Sequence, residues 1–362
     1  MTADGAQPMS TDREDGAPSR FNRILNVLSI VLLVVAVALV ALYLIPSKYY
    51  LLLPGDAVEV GPLIHVAGHS QRLNGGKLYL TDVSFLKADH LLVELYGRLN
   101  SGADLETQTQ FTGGISESKY IAINTNLMTQ SINAAKAAAL NTIPGLHPHL
   151  AKTGPKIDGL VPGTNAVHVL KPGDVITQID GRRIHTTTAV RATVQTVHPG
   201  QILHMTILRK GKPLHLNVRT VRANANGLPD KHGKLTLIGI EVEDQIVFPI
   251  KITISHGSIV GPSAGLMFSL GIVNDLSKTD ITKGCKIAGT GTIDSAGNVG
   301  AIGGAKQKII AAGNAGVKYF LVPDVAENRV PAEQHRGNIT VVPVKTLKGA
   351  LTFLKHMPAC TQ

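Results

Sequence analysis

The sequence predicts one apolar helix near the N-terminus followed by two folded modules, a mostly β one and then an α/β one. Three observations carry that expectation. An uncharged run extends from Ile24 to Ile45, interrupted only by Asn26 and Ser29. Residues 153–222 alternate short apolar runs with Pro-Gly, Asp-Gly and Lys-Gly turns, the pattern of antiparallel strands. From about 230 to 357, strand-like runs alternate with stretches of helical spacing, the pattern of an α/β domain. At 362 residues the chain has room for about two soluble domains and some additional segments.

Composition narrows the function classes. With 44% hydrophobic and 17% charged residues, most of the chain cannot be intrinsically disordered. Aromatics are 4% with no Trp, which argues against a stacking surface for single-stranded nucleic acid. The net charge of +10 comes from scattered rather than striped Lys and Arg, so no nucleic-acid partner is expected. Attraction to an anionic membrane surface accounts for the balance equally well. Two cysteines, Cys285 and Cys360, exclude a disulfide scaffold and a four-cysteine zinc site; whether the two pair is left open.

The run Ile24–Ile45 covers roughly 33 Å at about 1.5 Å per residue, close to a hydrocarbon core. It is longer than the apolar region of a secretory signal and leaves through Tyr43, Leu44 and Ile45, not through small residues. Residues 24–45 are therefore read as a single-span anchor in the lipid bilayer. Arg13, Arg20 and Arg23 precede it and only Lys48 follows closely, which places residues 1–23 as a cytoplasmic tail and the rest outside. The expected location is a bacterial cell membrane. Residues 46–152 form an extracytoplasmic N-terminal region, in which Lys77–Phe85 reads as a strand and Met128–Leu140 as an Ala-rich helix. Nothing in this region announces chemistry, and it reads as a collar joining anchor to domains.

In the β-rich stretch, Leu170–Ile184 (LKPGDVITQIDGRRI) gives a turn, a strand, a second turn and another strand. His198–Val218 follows as two alternating strands joined across Lys210-Gly211. These residues resemble the PDZ domain, whose frequent signature is L-x-x-G-D-x-I-x-x-I-x-G, over residues 153–222. The resemblance implies a peptide taken up as an added strand at a sheet edge. It also implies a carboxylate-binding loop before the signature, near Gly159–Gly163, where the match is poor.

The chemistry candidates lie further on. Pro262 suits a first helical turn, so Ser263 falls at the start of a helix over Ala264–Leu276, where backbone N–H groups lack intrahelical acceptors. Gly303-Gly304-Ala305-Lys306 sets a lysine behind a tight glycine turn with Ile302, Ile309 and Ile310 around it. A lysine desolvated there would have a lowered pKa and could act as a general base. Other patterns carry less. Ser116–Lys119 fits S-x-x-K and Lys152–Gly154 fits K-T-G, but both lie in polar or turn-like sequence too close together for a β-lactamase-type fold. His147 and His149 make a close histidine pair, without a helical i, i+4 frame or acidic company. His256, a strand-end before the serine loop, is read as structural. Gly289-Thr290-Gly291 is followed by Asp294 where a dinucleotide loop needs glycine. No G-x-x-x-x-G-K-[ST] occurs, so neither cofactor nor metal nor nucleotide is expected.

Residues 230–357 resemble the proteolytic domain of the Lon (endopeptidase La) family, an α/β (α+β) fold that cuts peptide bonds with a Ser–Lys dyad. The family's P-S-A-G stands as Pro262–Gly265, and its G-G-x-K-x-K stands as Gly303–Lys308. The resemblance implies Ser263 as nucleophile and Lys306 as base. It implies Thr290, in the T-G-x-I segment Thr290–Ile293, as a hydrogen-bonding partner of the lysine, and it leaves Lys308 without a catalytic role. Two departures stand out. Many family members carry Asp before G-P-S-A-G, where this chain has Val260, and the ATPase half is missing from the sequence. The order anchor, PDZ-like domain, Lon-type domain is similar to the membrane-anchored bacterial Lon-like proteases typified by YlbL. That similarity implies a serine endopeptidase acting on peptide or protein substrates, membrane-bound or secreted, and leaves assembly into a homo-oligomer open. The rival reading is a non-catalytic, membrane-anchored peptide-binding adaptor.

Overall fold

The computed structural model describes residues 20–69, 75–224, 229–257 and 259–360; the expected tail before Arg20 lies outside them. The chain begins with helix α1 (Arg20–Leu44), then strands β1 (Pro46–Glu59), β2 (Ile64–Val66) and β3 (Lys77–His90). Helix α2 (Leu91–Leu99), strand β4 (Asp104–Thr107), helix α3 (Gln108–Thr112) and the long helix α4 (Glu117–Asn141) follow. Next come β5 (His149–Leu150), β6 (Lys156–Leu160), α5 (Ala166–Val169), β7 (Val175–Ile179), β8 (Arg182–Arg183), α6 (Thr187–Gln195), β9 (Ile202–Arg209) and β10 (Lys212–Arg219). Short strands β11 (Val221–Ala223), β12 (Leu235–Leu237), β13 (Ile240–Glu243), β14 (Ile246–Val247) and β15 (Ile252–Ile254) lead to α7 (Gly265–Leu276). The chain closes with β16 (Lys286–Gly289), β17 (Thr292–Ile293), β18 (Val299–Gly300), α8 (Ala305–Asn314), β19 (Tyr319–Pro323), α9 (Ala326–Gln334), β20 (Thr340–Val344) and α10 (Leu347–His356).

Two compact units emerge, one of residues 1–53 with 84–116 and one of residues 54–83 with 117–362. In the smaller unit, α1 holds a 22-residue stretch, Arg23–Leu44, that is long and apolar enough to cross a membrane and has none of its residues buried. The first half of β1 pairs antiparallel with β4, Tyr50 opposite Glu106. Helix α2 rests on this pair through Gly97, where an added Cβ would collide with the Leu51 side chain. Glu94, buried on the same side, accepts hydrogen bonds from Ser47 (2.8 Å) and Arg98 (2.6 Å).

The larger unit contains a β-rich core and an α/β sheet with a core on each face. The β-rich one is a sheet in the order β10-β9-β7-β6-β13. Its hairpin turns are those the sequence predicts, with positive φ at Asp180 and Gly181 and at Lys210 and Gly211, which matches the twist of the strands. Ile157, Ile176, Ile179, Leu203, Met205 and Ile238 pack inside it. The last of these lies in the run Leu235–Val242, whose apolar residues suit a strand. Gly239, at φ +90°, breaks it, and β13 adds instead to β6 in antiparallel register, Ile240 opposite Leu160.

The α/β core is built on strands in the order β20-β19-β16-β3-β1, with β20, β19, β16 and β3 parallel. Along β19 the side chains alternate between two cores. Tyr319 and Leu321 join the one containing α7 and α4, and Phe320 and Val322 join the one containing α8 and α9. Helix α4 is therefore more than a collar: Met128, Ile132 and Ala135 are buried against the same core as α7. Strand β3, from the same N-terminal region, supplies a parallel neighbour to β16. The region looked inert in sequence because its contribution is packing across more than a hundred residues. Cys285 and Cys360 form a disulfide that ties the start of β16 to the segment after α10.

Candidate active site

Ser263 stands in a single 3-10 turn, Pro262–Ala264, that runs directly into α7. Gly261 enters it at φ +93° with its N–H donated to the Asn124 carbonyl. The Pro262 carbonyl accepts the Ser131 hydroxyl at 2.8 Å, so α4 braces the turn. The Ser263 carbonyl accepts the Gly291 N–H at 2.7 Å and the Thr290 hydroxyl at 3.1 Å. Helix α7 is buried from Gly265 through Val273, whereas Ser263 itself is half-buried. A fixed backbone thus presents one accessible hydroxyl at the mouth of an apolar helix.

The lysine that meets this hydroxyl is Lys308. Its Nζ lies 2.8 Å from Ser263 Oγ and 3.3 Å from Thr290 Oγ1. The side chain is buried, and burial pulls its pKa down to about 7, opposed by the charge of Asp82, which favours the protonated amine. Asp82, on β3, accepts the Asp56 N–H, and burial raises its own pKa. No carboxylate stands at position 260, so the charge acting on the lysine comes from β3 instead.

The assignment of the facing lysine to Lys306 is corrected by this geometry. Two residues apart on α8, the lysines point about 200° from one another around the helix, so only one can face Ser263. Lys308 shares the buried stripe of Ala305, Ile309 and Ala312, at helical spacing i, i+3, i+4, i+7. Lys306 is half-buried, and four and seven residues on from it stand Ile310, half-buried, and Gly313, exposed. The sequence does not separate the two, because Ile302, Ile309 and Ile310 stand at helical spacing from Lys306; the face of α8 that is buried does. Gly304 starts α8 at φ +70°, where an added Cβ would collide with Val83, so this glycine sets the close approach of helix and β3. Thr290 lies where the resemblance implies, bonded to the lysine, but to Lys308.

Two concavities lie in the same unit. A cleft of about 610 Å³ runs beside Pro262, walled by α4 (Gln130, Ser131), residues 242–248 and residues 293–295. A groove of about 470 Å³ lies between α6 (Val190, Arg191, Val194) and residues 236–242. β13 ends the order of its sheet, so this groove has the geometry of strand addition, an edge strand facing a helix. The link Ile238-Gly239 at the head of that edge, between β12 and β13, comes after the β-rich module in sequence. The expected loop near Gly159–Gly163 does not border an open edge, because β6 already pairs with β13 there. Asp244 joins the two concavities: its carboxylate accepts the Thr187 N–H (2.6 Å) and hydroxyl (3.2 Å) at the start of α6.

Residues 233–355 match the family model of the Lon protease (S16) C-terminal proteolytic domain, and residues 147–220 match that of the PDZ domain. The chain carries a PDZ domain followed by a Lon-type protease domain. The Lon protease of Buchnera aphidicola subsp. Schizaphis graminum is 40% identical over 103 residues, 27% of this chain and 13% of that one. The Lon protease of Rickettsia prowazekii is 36% identical over 130 residues, 34% of this chain and 16% of that one. This chain therefore spans only a small part of these relatives, and the likeness covers the protease domain alone. Among solved structures, the PDZ domain of the SdrC-like protein from Listeria monocytogenes aligns at 19% identity and a TM-score of 0.22, covering 26% of this chain and 92% of that one. Residues 236–242, which include β13, fall inside the span matched to the Lon-type domain, so one wall of the groove belongs in sequence to the protease.

Proposed function

We propose that the chain is a membrane-anchored serine endopeptidase that acts outside the cytoplasm with a dyad of Ser263 and Lys308. The contact of a buried amine with a half-buried serine hydroxyl is the observation that carries this reading. The neutral amine of Lys308 takes the Ser263 proton as Oγ bonds to the scissile carbonyl carbon. Backbone N–H groups of the turn after Pro262 receive the oxyanion. Collapse breaks the C–N bond, and the leaving amine takes the proton from Lys308. Water, deprotonated by the Lys308 amine, then attacks the acyl carbon; the bond to Ser263 Oγ breaks, and Oγ takes the proton back from Lys308. Thr290 orients the amine without adding charge.

The cleft beside Pro262 would hold the substrate chain, and the PDZ groove would position a more distant extended segment. A non-catalytic adaptor is the weaker reading, because an apolar residue at 308 would stabilise such a protein better than a buried lysine. Anchoring through α1 and work outside the cytoplasm are supported by the unburied 22-residue apolar stretch, by the arginines before it and by the disulfide, which persists in oxidising compartments.

Three substitutions test the dyad on a short fluorogenic peptide. Ser263→Ala and Lys308→Arg should each lose activity, Lys308→Arg because a guanidinium stays protonated. Lys306→Arg should retain it. Loss in Lys306→Arg with retention in Lys308→Arg would return the base to position 306.

A further inference from the structure

Helix α2 is amphipathic in the wrong sense for a soluble domain. Its inward side carries Glu94 and Gly97. Leu92, Leu95, Tyr96 and Leu99 recur at i, i+3, i+4 and i+7, the spacing of a helix face that ordinarily packs inward. Here most of that face points away from the protein: Leu92 is half-buried, while Leu95 is 37%, Tyr96 55% and Leu99 78% exposed. The inward side is occupied, since Gly97 is in close contact with Leu51 and Glu94 holds Ser47 and Arg98. Rotating the helix to hide the leucines would break all of these contacts. An apolar stripe held outward by a polar anchor inward needs an apolar medium outside.

The position of α2 says which medium. The Leu91 N–H, the first of the helix, donates to the Ile45 carbonyl at 2.9 Å, immediately beyond the end of α1. His90, preceding it, stacks on Tyr43 of α1 with ring centroids 4.2 Å apart. Ser47, two residues after Ile45, is the donor to Glu94. Helix α2 thus starts at the level where α1 leaves its apolar stretch, and it is only about 13 Å long. Tyr43 and Tyr96, each with an apolar ring and a polar tip, are the residue type that settles where hydrocarbon meets water.

We propose that α2 lies in the membrane interface with Leu92, Leu95, Tyr96 and Leu99 against lipid, a second membrane contact beside the spanning helix. The proposal rests on α1 as anchor. A surface-lying helix at the exit point would fix the first residues outside the bilayer in tilt and height, which a single span does not do.

The absence of tryptophan makes a direct test available. The full chain carrying Leu99→Trp, and separately Val35→Trp within α1, is reconstituted in vesicles containing lipids brominated either near the headgroup or near the chain end. The indole of Leu99→Trp is expected to emit at a blue-shifted wavelength and to lose fluorescence to the bromines near the headgroup more than to those near the chain end. The indole of Val35→Trp is expected to show the reverse. Quenching at position 35 with none at 99 overturns the proposal while leaving the anchor standing. Quenching at neither position overturns the anchor itself. Blue-shifted but unquenched emission at 99 would show that protein, a second copy included, covers this face instead.

Discussion

At the scale of single residues, the protonation of Lys308 sets the pH dependence. An ordinary lysine titrates near 10.4 and would be charged at neutral pH; burial brings Lys308 to about 7. Activity should therefore rise with pH and reach half its plateau near neutrality, as read from kcat/KM on a short peptide. Asp82 favours the charged amine, so Asp82→Asn should move that rising limb to lower pH with the plateau preserved. A merely structural role for Asp82 would lower the plateau and leave the limb in place. Stability carries the same signature with a defined sign. Between about pH 7 and about 10.4 the unfolded lysine holds a proton that the folded one has released, so this group makes the fold more stable as pH rises through that window. Below the window the folded chain must bury the charge. Lys308→Met should thus abolish activity and raise stability by roughly 1–2 kcal/mol in neutral or mildly acidic buffer.

At the scale of elements, β13 belongs to two sites at once. It is the edge strand of the PDZ groove, and the segment after it, 244–248, walls the cleft beside Pro262. Gly239 allows the arrangement: its φ is +90°, and an added Cβ would overlap Thr164. Gly239→Ala should cost about 1–3 kcal/mol of stability by thermal unfolding. It should also impair cleavage of a protein substrate more than that of a short generic peptide, because the groove's wall moves while the dyad does not. Equal loss on both substrates would mean that the groove serves the fold and not the substrate. The sequence assigns 235–242 to the protease by its position along the chain. Only the pairing with β6 assigns it to the β-rich sheet, and such pairing cannot be read where two modules offer similar edges.

At the scale of the whole molecule, the disulfide and the anchor make separate demands. Cys285–Cys360 closes a separation of 75 residues, and by loop-closure entropy its removal should cost about 4–5 kcal/mol. Thermal unfolding with and without reductant measures this, and an unchanged midpoint would count against the pairing. If residues 46–362 lie outside, protease added to intact spheroplasts should digest them; complete protection would reverse the orientation. The apolar span, the strand-turn pattern of 153–222, the helix after Pro262 and the candidates Ser263 and Thr290 were all legible in the sequence. Each depends on local periodicity, turn chemistry or a short motif. The contact of Lys308 rather than Lys306 with Ser263, the entry of α4 and β3 into the protease core, the closing of the groove with β13 and the joining of the two cysteines came from the tertiary structure alone. These depend on which face of a helix is buried and which distant strand fills an edge, and such contacts form between residues far apart in the chain, where no local pattern distinguishes the partner chosen from those left aside.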